Sequence, residues 1–129
     1  MNLMNFIPYT SVGAIKFGEA REEVRKTLGT YKEYKKNKFS KNTLDDFGFC
    51  QVFYNLENKV VAIELYRNAE LVYNNVNLFS LNKAQLTSLL SGQEIVEDEY
   101  GLTIPSLGLS ITFIDFTPDS ILAYQRGYM

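Results

Sequence analysis

Residues 47–66, FGFCQVFYNLENKVVAIELY, hold two runs dense in aromatic and β-branched side chains on either side of Asn55-Leu56-Glu57-Asn58. Such residues suit a pleated, half-buried surface, and a polar, Asn-bounded break between two runs marks a turn. The stretch therefore predicts an antiparallel hairpin with strands over 47–54 and 59–66. In the second run Val61, Ile63 and Leu65 fall on one face, the period of two that buries one side of a sheet.

Upstream of this hairpin the period changes. Ala20, Val24 and Leu28 recur every four residues while Arg21, Glu22, Glu23, Arg25 and Lys26 fill the other positions, which predicts a helix over 19–28 stopped by Gly29. Downstream, Leu86, Leu89 and Leu90 predict a second helix over 83–91. Asn82 and Gln85 stand at the spacing of a capping box, and Gly92 follows. Residues 69–73 read as a short strand closed by Asn74-Asn75. Residues 107–115 and 121–126 read as a second strand pair, joined through 116–119, where Pro118 cannot donate a ladder hydrogen bond.

Helix followed by hairpin thus occurs twice. Phe17 to Val24 and Phe79 to Leu86 have the same spacing, Leu28 and Leu90 each follow four residues later, and the hairpins superpose with Phe53 on Phe113 and Val61 on Ile121. The expected fold is α+β: two similar units of helix plus antiparallel sheet, about 12–73 and 74–129, forming one domain with the helices packed on the sheet.

The stretch from Val12-Gly13-Ala14-Ile15-Lys16-Phe17-Gly18 through Val24 to Leu28-Gly29 resembles the signature of β-lactamase-inhibitor-like tandem-repeat domains and of small outer-membrane assembly lipoproteins. That resemblance implies units that each lay a helical segment on an antiparallel sheet. In size, charge and its ending Ala123-Tyr124-Gln125-Arg126-Gly127-Tyr128, the chain also resembles the immunity proteins of bacterial polymorphic and contact-dependent toxin systems. This second resemblance implies a stoichiometric inhibitor of a toxin domain, often a nuclease, and assigns no binding residue.

Composition narrows the chemistry. The chain has 129 residues, 46% of them hydrophobic and 22% charged, the balance of an ordered globular domain. A single cysteine, Cys50, excludes an internal disulfide and a thiolate metal cluster, and it reads as a buried strand residue. With no histidine there is no Ser–His or Cys–His pair and no usual zinc ligand. Gly13, Gly18 and Gly29 lack the spacing of a dinucleotide-binding loop, and Asp45-Asp46 reads as a turn without calcium-loop spacing. No catalytic residue, metal or cofactor is expected. Residues 1–10 lack a secretory apolar core and no stretch is long enough to span a bilayer, so the expectation is a cytoplasmic protein with no membrane partner.

Charge is unevenly distributed. Residues 16–41 carry nine basic and four acidic side chains, although the whole chain is at −2. The basic, aromatic run over 31–39 has a composition suited to phosphate contact, but a pI near 5.2 disfavours nucleic acid. Glu94, Glu97, Asp98 and Glu99, beside Tyr100, form the candidate partner-binding patch. Carboxylates there would oppose a basic cleft and speed association, and a tyrosine supplies contact area. The expected function is a non-catalytic immunity protein that occludes a cognate toxin domain. The alternative is an accessory or assembly domain that acts through homo-oligomerisation or a sheet edge.

Overall fold

The predicted hairpin is present, and pairing spreads outward from it into most of the molecule. The computed structural model describes residues 3–128, in which the strands are β1 (Leu3–Ile7), β2 (Ser11–Val12), β3 (Ile15–Lys16), β4 (Lys32–Tyr34), β5 (Leu44–Asp46), β6 (Cys50–Tyr54), β7 (Val60–Tyr66), β8 (Glu70–Tyr73), β9 (Val76–Asn77), β10 (Val96–Glu97), β11 (Gly101–Ile104), β12 (Leu109–Ile114) and β13 (Thr117–Tyr124). Helix α1 (Arg21–Leu28) precedes β4 and helix α2 (Lys83–Leu89) precedes β10.

The α+β expectation, with helices packed on a sheet, is overturned. The protein is mostly β, at 44% strand and 14% helix, and its strands form two sheets of five and eight. One reason is length: helices of eight and seven residues make about two turns each. The other is that residues 3–16, which carry no strong periodicity, are recruited into the smaller sheet, ordered β3-β2-β1-β8-β9, where β1 runs parallel to β8.

The larger sheet is ordered β10-β11-β12-β13-β7-β6-β5-β4, so β7 and β13 are central and antiparallel, and the chain order runs in the same sense outward on each side. Each main hairpin has one irregularity, after Phe53 and after Thr112. Pairing therefore sets Phe53 in the place of Thr112, not Phe113, and the unpaired residues are Val61 and Asp119. The helices are tied alike: the Arg21 amide donates to the Asn58 carbonyl at 2.9 Å, and the Lys83 amide to the Phe116 carbonyl at 2.8 Å.

Turn chemistry explains where the second hairpin departs from expectation. Its turn is the two-residue Asp115-Phe116, both at positive φ (53° and 66°), instead of 116–119. A turn with two left-handed residues matches the right-handed twist of the flanking strands. Pro118 then lies inside β13, but at the irregularity and beyond the stretch paired to β7, which begins at Ser120, so its missing N–H breaks no central ladder. Asn74-Asn75, also both left-handed, end β8 as expected, and they also turn the chain back into β9, which the sequence does not announce.

One apolar core runs through both sheets and both helices, from Met4 and Phe6 through Val24, Val52, Ile63 and Leu86 to Ile111 and Ile121. Cys50 is wholly buried, and burial first of all pushes its thiol up to about 12, which makes it an inert core residue. At Gly101 the strands approach so closely that a Cβ would stand 1.8 Å from the Ile111 carbonyl oxygen. Since backbone must move to admit a methyl group there, Gly101→Ala is expected to lower stability by about 3 kcal/mol in urea unfolding, and Gly92→Ala, with open space around it, by well under 1.

Candidate partner-binding site

Four of the five acidic-run residues gather at one end of the large sheet. Glu97 lies on the edge strand β10 opposite Leu102, and its carboxylate accepts a short hydrogen bond from the Lys83 ammonium at the start of α2. Lys83 is held there by the capping box: the Gln85 amide donates to Asn82 Oδ1 at 2.8 Å and the Asn82 amide to Gln85 Oε1 at 2.9 Å. Asp98 shapes the turn, because its Oδ1 accepts from the Tyr100 and Gly101 amides at 2.8 and 3.0 Å. Glu99 and Tyr100 project at the tip, and Tyr100 is 69% exposed. Glu94 is exposed in the segment between α2 and β10, and neither it nor Glu97 nor Asp98 lines the depression that Glu99 shares with Tyr100.

The structure adds Phe116 to this end, a residue that the sequence places in a connection over 116–119. The Asp115-Phe116 turn lies against the Tyr100 turn, and Lys83, Glu99, Tyr100, Asp115 and Phe116 together line a shallow depression. Phe116 is 72% exposed although its φ is 66°. A bulky residue with positive φ carries strain of about 1 kcal/mol or more, and Gly or Asn would sit there without it. Ile114, 53% exposed, extends the apolar surface. A bulky residue in the turn was the available signal, but it is unreadable until the turn is located.

At the opposite edge the corresponding positions do something different. Arg21 and Arg25, one helical turn apart on α1, converge on Asp45 of β5, whose side chain is fully buried. The Arg25 Nε and Nη2 groups donate to the two Asp45 oxygens at 2.8 and 2.9 Å, Arg21 donates a second fork at 3.3 and 2.9 Å, and the Tyr54 hydroxyl donates at 3.0 Å. Arg21 stacks over the Tyr54 ring at 4.4 Å and Arg25 over Tyr31 at 4.0 Å. Glu33 on β4 closes the outer side, accepting from Arg25 at 3.0 Å and from the Thr43 hydroxyl at 2.6 Å. The expected turn at Asp45-Asp46 is thus a strand. Adjacent side chains point to opposite faces, so Asp45 turns inward while Asp46 accepts from the Gly48 amide.

Electrostatics follow this geometry. Burial by itself would raise the Asp45 carboxyl, and the hydrogen bonds from Arg25, Arg21 and Tyr54 outweigh it, holding the group down to about 2. The Tyr54 phenol is pushed well above its ordinary value, first by burial and then by the Asp45 charge. The hydrogen bonds from Thr43 and then Arg25 hold Glu33 below the usual carboxylate range. With every arginine fork engaged, this cluster is a structural tie, not a ligand site. Among the described residues no group of three or more His, Cys, Asp or Glu side chains is placed to hold a metal ion, and no helix is long and apolar enough to cross a membrane. Comparison with family models, curated proteins and solved structures finds no match.

Asp45 ionises near 3.8 when unfolded and near 2 when folded, so its contribution is fully present above about pH 4 and is lost as pH falls toward 2. A loss of about 2 kcal/mol over that window is expected in urea unfolding of the native chain. Asp45→Asn, which strips buried Arg21 and half-buried Arg25 of their counter-ion, is expected to lower stability at pH 7 by roughly 3 kcal/mol and to remove that acid limb.

Proposed function

We propose that the chain is a non-catalytic binding protein that presents its acidic, aromatic end to a basic surface of a partner protein, as an immunity protein does when it occludes a toxin domain. The observation that carries this reading is Phe116: an exposed aromatic in a strained left-handed turn, beside exposed Tyr100 and sharing a depression with Glu99 and Asp115, with Glu97 and Asp98 exposed on the adjoining strand and turn. Strain kept at an exposed position points to use by a partner, since folding alone would favour Gly. The acidic side chains supply long-range attraction to a basic cleft and the two aromatic rings supply desolvated contact. Docking by such an end blocks a cleft without any reaction, and a nuclease, whose cleft is basic to hold phosphates, fits that chemistry. The opposite charge of the two sheet edges favours a second reading, assembly with copies of itself.

Co-expression and pull-down with the product of the gene immediately upstream is expected to yield a one-to-one complex with a toxin domain and protection from it. Recovery of the chain without such a partner, and no protection, would overturn the reading. Within the complex, Phe116→Gly is expected to act in two directions at once: stability unchanged or raised by up to about 1 kcal/mol, because Asp-Gly suits this turn, and affinity weakened roughly thirtyfold in calorimetry.

A further inference from the structure

The basic end of the sheet carries a groove that the occlusion reading does not use. It has a volume of about 390 Å³ and lies between the loop joining β4 to β5 and the turn end of the β6–β7 hairpin. Leu44, Phe53, Leu56 and Val61 form its apolar lining, and Lys36 and Lys41 stand among the residues around it. The Lys36 ammonium is 5.2 Å from the Phe53 ring centre, Lys41 is exposed, and Leu56 is 71% exposed. An apolar floor beneath two cations suits an aromatic or aliphatic side chain flanked by carboxylates.

That chemistry occurs at the other end of the same sheet, where Tyr100 projects between Glu99 and the Asp98 turn. Within one molecule the two cannot meet. The tip joins β10 to β11 and the groove lies over β5 to β7, four to five strands away, roughly 20 Å at about 4.8 Å per strand and beyond a Debye length of about 8 Å, so neither end neutralises the other. Between molecules the charges are opposite and both surfaces carry apolar side chains. We infer that the lysine-rimmed groove receives the Glu99-Tyr100 tip of a second copy of this chain, giving a salt-sensitive, self-complementary contact. A two-fold antiparallel pair makes this contact twice and closes. Edge strands of two and three residues are too short to carry the association through backbone pairing, so side chains bear it. Self-docking of this kind is independent of the occlusion reading, because a monomeric chain would still present its acidic end to a basic partner.

Sedimentation velocity on the full chain is expected to show concentration-dependent association at about 50 mM NaCl that is lost at about 500 mM. Lys36→Glu/Lys41→Glu and Glu99→Lys are each expected to weaken it roughly tenfold or more, and a mixture of the two variants to restore it, since one retains the acidic tip and the other the basic groove. Carbodiimide cross-linking of mixed ¹⁴N and ¹⁵N protein should give intermolecular links from Lys36 or Lys41 to Glu99. A single-copy mass at every concentration and salt would overturn the inference, as would association unchanged by both variants or links confined to other residues. Capture of another protein's acidic segment in the groove by a chain that stays monomeric would overturn it too.

Discussion

A carboxylate that no water reaches governs how the first half of this protein is put together. Asp45 accepts four hydrogen bonds from Arg21 and Arg25 and one from Tyr54. Leaving that charge unpaired in the interior would be prohibitive, so α1 has one acceptable placement, with both arginines over β5. Hydrophobic burial is not directional and would tolerate a helix shifted along its axis. Forked hydrogen bonds do not. The same arginines reach Glu33, so the cluster also fixes the outer strand β4 and with it the start of the lysine-rich loop.

The second half meets the same packing problem without a buried charge. The second residue of β5 is Asp45, whereas the second residue of β11 is the buried Leu102, and the first residue of the helix is Arg21 in one case and Lys83 in the other. A helix-to-edge-strand ion pair persists as Lys83 to Glu97, but it lies at the surface, where such a pair contributes little to stability. Polar groups are therefore consumed internally at one edge of the sheet and left facing outward at the other. This difference gives the acidic edge its surface of carboxylates and exposed rings, while the basic edge keeps a hydrophobic groove under lysines.

Phe116 is the place where a local conformational rule is broken. Its turn twists correctly only if both residues are left-handed, and an aromatic residue is a poor occupant of that conformation. The ring is mostly exposed, so packing against the start of α2 offsets little of that cost. The departure coincides with the place where acidic and aromatic side chains from three turns and strands converge.

How much of this was legible in the sequence depended on the range of the interactions. The β6–β7 hairpin, the α2 capping box, the Gly29 stop and the Asn74-Asn75 turn all depend on neighbours within a few residues, so periodicity and turn chemistry located them. The identity of Glu97, Asp98, Glu99 and Tyr100 as an exposed group could also be read, because a charged run has few other places to go. Composition could not show that Arg21 and Asp45, 24 residues apart, would be buried together, because an amphipathic helix presents arginine to water by default. It also could not show that residues 3–5 pair in parallel with residues 70–72, that Pro118 sits harmlessly in a strand, or that Phe116 joins Tyr100. Those outcomes rest on strand pairing between distant segments. Only tertiary structure decides which donors meet which acceptors there, because the free energy of each contact depends on a partner that the local sequence does not contain.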